Sequence, residues 1–438
     1  MKNKILLLGA GLVSKPLVTY LLKHDFFVTV ADMVMEKAEA IIEQHPNGKA
    51  IKWVVEEEDK LEEMVKESDI VISLLPYIYH VRVAKVCLEF NKHLVTASYV
   101  NDEMRALDRQ AKRKNLIFLN EVGLDPGIDH MSAMKLINDI RNKGGEVISF
   151  ESYCGALPAP ESADNPLKYK FSWSPRGVLL AGRNSAKYMK DGKTIEIKPE
   201  NLFDDYHNIN IKGIGEMEFY PNRDSVSYID VYKLDGISTM FRGTIRYKGW
   251  SELMSVVSKS GWLSLDKIET NGKTYKDITA ELTAISKDKL EEELLTKYNA
   301  TGKTRIIDKF RWMGLLSDDK IDKGKIAPID ILTDLLLSKM SYKKGEKDMV
   351  ILFHKIVGEF KEGKKLYTSL MIDYGVEGEE TSVARTVALP AAIATRMILE
   401  DKIKLRGVRI PVQEEIYTPI LEELENIGIK FEEKTEKV

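Results

Sequence analysis

The chain of 438 residues has little cysteine, no excess of charge of either sign and no long apolar run. Two cysteines, Cys87 and Cys154, are too few for a disulfide framework. They show no metal-ligand spacing either, so no metal centre is expected. A reduced, cytoplasmic protein is the expectation. Cys87 lies in the apolar run VAKVCLEF and reads as core. Lysine and arginine number 65 against 68 aspartates and glutamates, a net charge of −3. Bulk electrostatics therefore select neither a nucleic acid nor a membrane surface as partner. Any anionic ligand must be held by local arginines. No apolar stretch approaches the roughly 20 residues that cross a bilayer. The N-terminal MKNKILLLGAGLVSKP has two lysines before an apolar stretch, as a signal peptide does. No small-residue cleavage site follows, and an amphipathic helix continues instead.

What is present is a hydrophobic fraction of 44%, enough for a real core. The length predicts two or three domains at roughly 150 residues each. The first 120 residues alternate strand and helix. KILLLGA (4–10), FFVTVAD (26–32), IKWVV (51–55), DIVISLLP (69–76), HLVTAS (93–98) and LIFLNEV (116–122) read as strands. Charged helices such as EDKLEEMVKES and NDEMRALDRQAKRKN lie between them. Strands apolar on both faces imply a parallel sheet covered on each side. That is a doubly wound Rossmann-type α/β domain.

GAGLVS (9–14) follows the first strand and opens the first helix, with Ser14 where the G-x-G-x-x-G fingerprint has its third glycine. Gly9 permits the tight turn, Gly11 lets a pyrophosphate approach the backbone, and the helix N-terminus supplies N–H donors. Ser14 is a plausible N-cap, or donates its hydroxyl. Asp32 ends the second strand, where a ribose-binding acid is expected. Such a carboxylate favours NAD and repels the 2′-phosphate of NADP; the nearest base is Lys37. The bland alternative is a packing turn and a solvated strand end. Leu75 and Pro76, then Ser98 and Tyr99, stand at later strand ends where ligands of such sheets bind. With Leu12 and Val13 of the loop they complete the expected dinucleotide site.

After residue 144 the pattern changes. VISFESYC, VSYIDVYKL, FRGTIRYKG, DMVILFHKIVGEF and KKLYTSLMIDYG predict a mostly antiparallel sheet. The lysine- and glutamate-rich stretch from about 262 to 345 reads as a helical insertion. TSVARTVALPAAIATRMILEDK is expected to return as a small-residue helix against the first domain. The expected division is a dinucleotide-binding domain over 1–127 and 380–438, and an α+β substrate domain over 128–379. In NEVGLDPGIDHM, Asp129 can cap a helix and His130 has even odds of merely packing. Asp125, before Pro126, is harder to explain as structure. Residues 152–179, SYCGALPAPESADNPLKYKFSWSPRGVL, combine four prolines, four aromatics and an arginine. A loop of that length is uncommon unless functional or disordered, and this one is too aromatic for a linker.

GLDPGIDHM, the 152–179 stretch, YPNRDS, RGTIRYKGW and the TSVARTVALP helix resemble the saccharopine dehydrogenases of the glutamate-forming type. The resemblance covers essentially the whole chain; Ala156 stands where a glycine is usual. It implies oxidation of saccharopine with NAD or NADP, in lysine metabolism, to 2-aminoadipate 6-semialdehyde and glutamate. A substrate with three carboxylates needs guanidinium forks. Arg223 and Arg246 are the first candidates, then Arg176 and Arg242. Phe171 and Trp173 would exclude water, and Gly155 would line the same wall. Asp125, Cys154 and Tyr99 are the candidates for proton transfer. A covalent role for Cys154 lacks a nearby histidine. Ser98, Tyr99, Asp125 and Cys154 are also expected at the substrate. A homodimer is the expected assembly. The competing readings are a polyamine-joining enzyme such as carboxynorspermidine or homospermidine synthase, and a non-catalytic NAD(H) sensor. The first would need carboxylates where YPNRDS and RGTIRY stand. The second would need no water-excluding pocket.

Overall fold

The apolar run KILLL forms strand β1 (Lys4–Leu8), four of its five side chains buried. The structure is a computed structural model and describes residues 2–300, 305–377 and 380–438. These residues divide into two units, 1–147 with 356–438, and 148–355.

The first unit continues through α1 (Lys15–Lys23), β2 (Phe27–Asp32), α2 (Met35–Ile42), β3 (Gly48–Lys52), α3 (Glu58–Glu67) and β4 (Ile70–Ser73). Then come α4 (His80–Glu89), β5 (His93–Thr96), α5 (Asp102–Arg105), α6 (Asp108–Arg113), β6 (Ile117–Leu119) and α7 (Ile128–Asn142). The central strands bury both faces, as the sequence predicts for a helix-covered parallel sheet.

The chain goes on through β7 (Glu146–Pro158), α8 (Pro175–Ala181), β8 (Ala186–Lys190), β9 (Lys193–Ile197), β10 (His207–Ile211) and β11 (Gly215–Pro221). Next are α9 (Tyr228–Tyr232), β12 (Thr239–Arg246) and α10 (Trp250–Lys259). The insertion holds α11 (Tyr275–Thr283), α12 (Leu290–Lys297), α13 (Ile306–Met313) and α14 (Pro328–Lys339). Two small ribbons accompany them, from β13 (Ile268–Glu269) with β16 (Lys325–Ile326), and from β14 (Lys273–Thr274) with β15 (Lys320–Ile321). Residues 301–304 of the expected insertion lie outside the described residues. The chain then forms β17 (Asp348–Phe360), β18 (Gly363–Tyr374), α15 (Ser382–Leu399), β19 (Gly407–Arg409), α16 (Glu414–Asn426) and β20 (Phe431–Lys437).

The first sheet is parallel throughout and runs β19-β6-β5-β4-β1-β2-β3. Its seventh strand, β19, comes from the C-terminal part of the chain. The strand order reverses between β1 and β4, which is where such sheets open a crevice. Helix α15 lies against α1, β4 and β5. Its Ala388, Ala391, Ala392 and Ala394 are fully buried, and their small side chains let the helix lie close to the sheet. It is the one described helix long and apolar enough to span a bilayer, and most of it is buried inside the protein.

The second sheet runs β10-β11-β12-β7-β17-β18-β20, with β8 pairing to β12 and to β9. It is mixed and mostly antiparallel; β12 pairs with β7 in parallel. Three local readings change. VSYIDVYKL is not a strand but contains α9, where Tyr228 and Tyr232, one helical turn apart, are buried. The stretch 101–115 breaks into the two short helices α5 and α6. Residues 155–158, expected in the loop, extend β7 beyond the VISFESYC strand.

Candidate functional site

In the first unit, the turn after β1 is held from three sides. Gly9 has φ +103°, and a Cβ there would lie 3.2 Å from the Leu74 carbonyl oxygen. Its amide donates to the Ala31 carbonyl at 2.9 Å. Ser14 is fully buried and sits at the N-cap of α1. Its hydroxyl does not cap the helix; it donates to the Gly9 carbonyl at 3.0 Å. The hydroxyl thus ties the helix to the turn where a third glycine would have allowed closer packing. A Cβ on Gly11 would meet nothing within 4 Å, so its backbone faces open space at the helix N-terminus. Leu12, Met33, Tyr77 and Ile78 are exposed at the ends of β1, β2 and β4, and Val13 is half-buried. An open amide-lined turn with an apolar rim fits a dinucleotide. Leu75 is half-buried and Pro76 exposed on the same side of the strand order's reversal.

Asp32 also has a structural task. Its Oδ2 accepts the Ala10 N–H at 2.7 Å and its Oδ1 accepts the Val34 N–H at 2.9 Å. Both oxygens brace the glycine turn against the end of β2.

The ends of β4, β5 and β6 carry a second polar cluster. Buried His80 places Nδ1 2.9 Å from Ser73 Oγ and Nε2 2.8 Å from Ser98 Oγ. Burial pulls its pKa down to about 4, so the ring is neutral at pH 7. It orients Ser98. The Tyr99 hydroxyl donates to Asp125 Oδ1 at 2.9 Å, and both side chains are half-buried. Behind them, Glu121 accepts the Val100 N–H at 2.9 Å and lies 2.8 Å from His130 Nε2. His130 is therefore a buried partner of an acid. Asp129 accepts the Gly127 N–H at 2.6 Å and so closes the turn that opens α7.

In the second unit, the strand registers decide which side chains share a face. Cys154 pairs with Thr244, which pairs with Tyr220, and Glu218 pairs with Arg246. The two-residue period puts Arg242, Thr244 and Arg246 on one face with Cys154. The opposite face carries Tyr153, Phe219 and Phe241, with ring centroids 4.7 to 5.7 Å apart. A Cβ on Gly155 would lie 3.0 Å from Ile245, so this glycine permits close approach of β7 and β12.

Arg246 is buried, with its guanidinium 5.0 Å from the Tyr169 ring centroid and 5.5 Å from that of Trp250. One terminal nitrogen donates to the Ile245 carbonyl at 2.8 Å. Its Nε has no hydrogen-bond partner among the described residues. The acid across the register, Glu218, spends its oxygens on the Gly249 and Ser251 amides, at 2.8 and 2.5 Å, at the start of α10. Arg242 is also buried, with its guanidinium 4.3 Å from the Tyr228 ring centroid. Arg223 is exposed with φ +53°. Arg176 is exposed and paired with Asp330 at 2.7 Å, an ordinary surface ion pair.

The aromatic loop is anchored from within. Asn165 accepts the Leu167 N–H at 3.0 Å and donates to the Tyr169 carbonyl at 2.7 Å. The buried Lys170 is held between Asp164 and Glu346. Phe171 is buried and its amide donates to the Met340 carbonyl at 2.8 Å. Trp173 is half-buried, and its indole lies so close to Gly177 that a Cβ there would be 2.8 Å away. Ser174 and Pro175 then start α8. Prolines and internal bonds pre-order the segment.

Sequence reasoning missed His80, Glu121, Lys170, Tyr169 and Trp250. His80 and Glu121 lie beside strand-end residues already chosen, so proximity in sequence was the available signal. Tyr169 and Trp250 gave none, because only folding brings their rings to Arg246.

Residues 5–119 match the saccharopine dehydrogenase NADP binding domain, and residues 123–429 the saccharopine dehydrogenase C-terminal domain. The chain is 40% identical over 445 residues to a Schizosaccharomyces pombe protein named saccharopine dehydrogenase (NADP(+), L-glutamate-forming), covering 98% of each chain. It is 39% identical over 448 residues to the Saccharomyces cerevisiae protein of that name, covering 99% of this chain and all of the other. The solved apo structure of the L-Glu-forming saccharopine dehydrogenase from Saccharomyces cerevisiae aligns with a TM-score of 0.88 at 38% identity, covering 99% of this chain. On full-length identity, both domain matches and a shared fold, the chain belongs to the saccharopine dehydrogenase family.

Proposed function

We propose that the chain converts saccharopine and water to 2-aminoadipate 6-semialdehyde and L-glutamate, reversibly, with NADP as hydride acceptor, in lysine metabolism. One observation carries this reading. Arg246 is a buried guanidinium in a cage of aromatic rings, and its Nε finds no acceptor among the described residues. A buried cation without a paired acid is costly. A substrate carboxylate supplies the missing acceptor, and saccharopine has three.

A dinucleotide held at the glycine turn would supply the acceptor for the hydride that leaves the lysine-side carbon beside the secondary nitrogen. Gly9, Gly11, Leu12, Val13 and Ser14 would hold its phosphates at the α1 N-terminus, with Leu75, Pro76 and Ser98 along the strand ends. NADP replaces NAD as the expected cofactor because the first domain matches an NADP binding domain and the relatives are named for NADP(+).

This chain's own groups then bind and move protons. Arg246 and Arg223 grip carboxylates. Asp125, oriented by Tyr99, takes the proton released as water adds to the substrate imine, and returns it to the departing amine. Cys154 and Gly155 line the substrate, and Phe171 and Trp173 keep out other water. The decisive assay supplies L-saccharopine with NADP and then NAD and follows the absorbance of the reduced nicotinamide. Reduction with NADP is expected; no signal with either dinucleotide overturns the proposal.

A further inference from the structure

Glu121 stands two residues beyond β6 with φ +60°, in the left-handed region that residues other than glycine seldom adopt. Its side chain is buried, and so is that of His130. A glycine there would relieve the backbone, and a carboxylate taken out of water is costly unless it is held. A glutamate fixed against both preferences is kept in place by what it contacts. Backbone strain of this kind gathers at functional sites.

The contacts bracket one short segment and reach a second. The Glu121 N–H donates to the Ser98 carbonyl at 3.1 Å, and Oε1 accepts the Val100 N–H at 2.9 Å. Tyr99 lies between those two bonds. Oε2 lies 2.8 Å from Nε2 of His130, in the first turn of α7. The turn that carries Asp125 is tied to the same helix. The Gly123 amide donates to the Pro126 carbonyl at 2.9 Å, and the Ile128 amide to the Gly123 carbonyl at 2.8 Å. One carboxylate therefore joins the segment of Tyr99 to the helix that follows Asp125. The Tyr99–Asp125 hydrogen bond, at 2.9 Å, crosses between the same two segments. Both of its side chains are half-buried, so its geometry depends on the backbone beneath it.

We propose that Glu121, backed by His130, is a positioning residue for proton transfer. It sets the spacing of the Tyr99 and Asp125 backbones, and with it the hydrogen bond that orients the Asp125 carboxylate. It acts through those two residues and not on the substrate itself. This rests on the reading of Asp125 and Tyr99 as proton-transfer groups.

The test combines crystal structures of the full chain with steady-state kinetics. Glu121→Ala should let the Tyr99 hydroxyl leave hydrogen-bond reach of Asp125. It should lower kcat for saccharopine oxidation roughly 10- to 10²-fold, with KM for saccharopine little changed. Glu121→Gln keeps an oxygen for the Val100 N–H and should recover most of the lost kcat. Adding Tyr99→Phe to Glu121→Ala should lower kcat little further, because residues acting through one another are not additive. If the alanine variant fails to fold, His130→Asn carries the same structure and the same cycle, since it cuts one tie and leaves the Val100 bond. A Tyr99–Asp125 bond kept at its 2.9 Å in the variant overturns the inference whether or not saccharopine is oxidised. Fully additive losses in the double variant overturn it too, since Glu121 would then act independently of Tyr99. If the wild type oxidises no saccharopine but the bond is lost in Glu121→Ala, the positioning role stands and the proposed reaction falls.

Discussion

The Tyr99 hydroxyl donates a 2.9 Å hydrogen bond to Asp125 Oδ1. A phenol that donates to a carboxylate orients it and favours its charged form. Asp125→Asn should lower kcat for saccharopine oxidation by roughly 10²- to 10⁴-fold, the usual range for losing a general base. Tyr99→Phe should lower it less and shift the pH profile, because the acid is kept but loses its donor. The KM for NADP should stay unchanged in both. Wild-type kcat in Asp125→Asn would remove that carboxylate from the chemistry.

Arg246 predicts opposite effects on binding and on stability. Replacing it with methionine removes a buried cation that has no ion pair among the described residues, which is often neutral or stabilising. Arg246→Met should therefore melt at or above the wild-type temperature while its KM for saccharopine rises roughly tenfold or more. Thermal melting and initial rates on one preparation check both. A lowered melting point with an unaltered KM would mark Arg246 as a structural residue.

Asp32 braces a turn through two backbone amides. Asp32→Ala leaves Ala10 and Val34 without their acceptor and should raise the KM for NADP several-fold. The KM for saccharopine should be little altered. A wild-type preference for NAD over NADP would reverse the cofactor assignment.

His80 ties stability to pH. Its folded pKa, about 4, lies below the ordinary value of 6.5 because burial disfavours the charged ring. The unfolded chain therefore binds the proton more readily. The contribution is full above pH 6.5 and is lost as pH falls toward 4. Between pH 7 and 5 this amounts to about 2 kcal/mol. His93, held to about 4 by burial and by Arg406, adds a slope of the same sign. Denaturant titrations should show a smaller loss between those pH values for His80→Asn than for the wild type. Identical slopes would mean that the ring is not buried as a neutral group.

Lys170 anchors the aromatic loop between two acids. Lys170→Met takes the buried cation from both acids, leaving them their contacts with Lys343, and should cost roughly 2 kcal/mol. The melting temperature should fall by several degrees, with loosened near-ultraviolet signals from Tyr169 and Trp173. An unchanged melting temperature would show that the segment is ordered without the Lys170 ion pairs.

The first sheet could be read from residues because its signals are local. Apolar runs of strand length, a glycine turn in strand–turn–helix context and charged helices between them state a parallel sheet. The small-residue face of 382–399 foretold its return to that sheet. Strands β8 to β11 were harder. AKYMK, KTIEI and HNINI interleave polar side chains and form hairpins whose partners supply what their sequences lack. The charged tail FEEKTEK pairs along β18 through backbone bonds that its side chains do not announce.

Residue type alone named the groups of the candidate site: glycines at a turn, an aspartate before proline, arginines for carboxylates. Their tasks came from neighbours distant in the chain. Asp32 became a brace because folding set it against the Ala10 amide, and Arg176 became a surface pair because Asp330 was within reach. Arg246 stood out only once β12 carried it into an aromatic cage while Glu218 was engaged elsewhere. Chain order encodes the period of each element and the chemistry of each side chain. Whether a charge ends buried, braced or without a partner depends on three-dimensional neighbours, since desolvation and hydrogen bonding act through space.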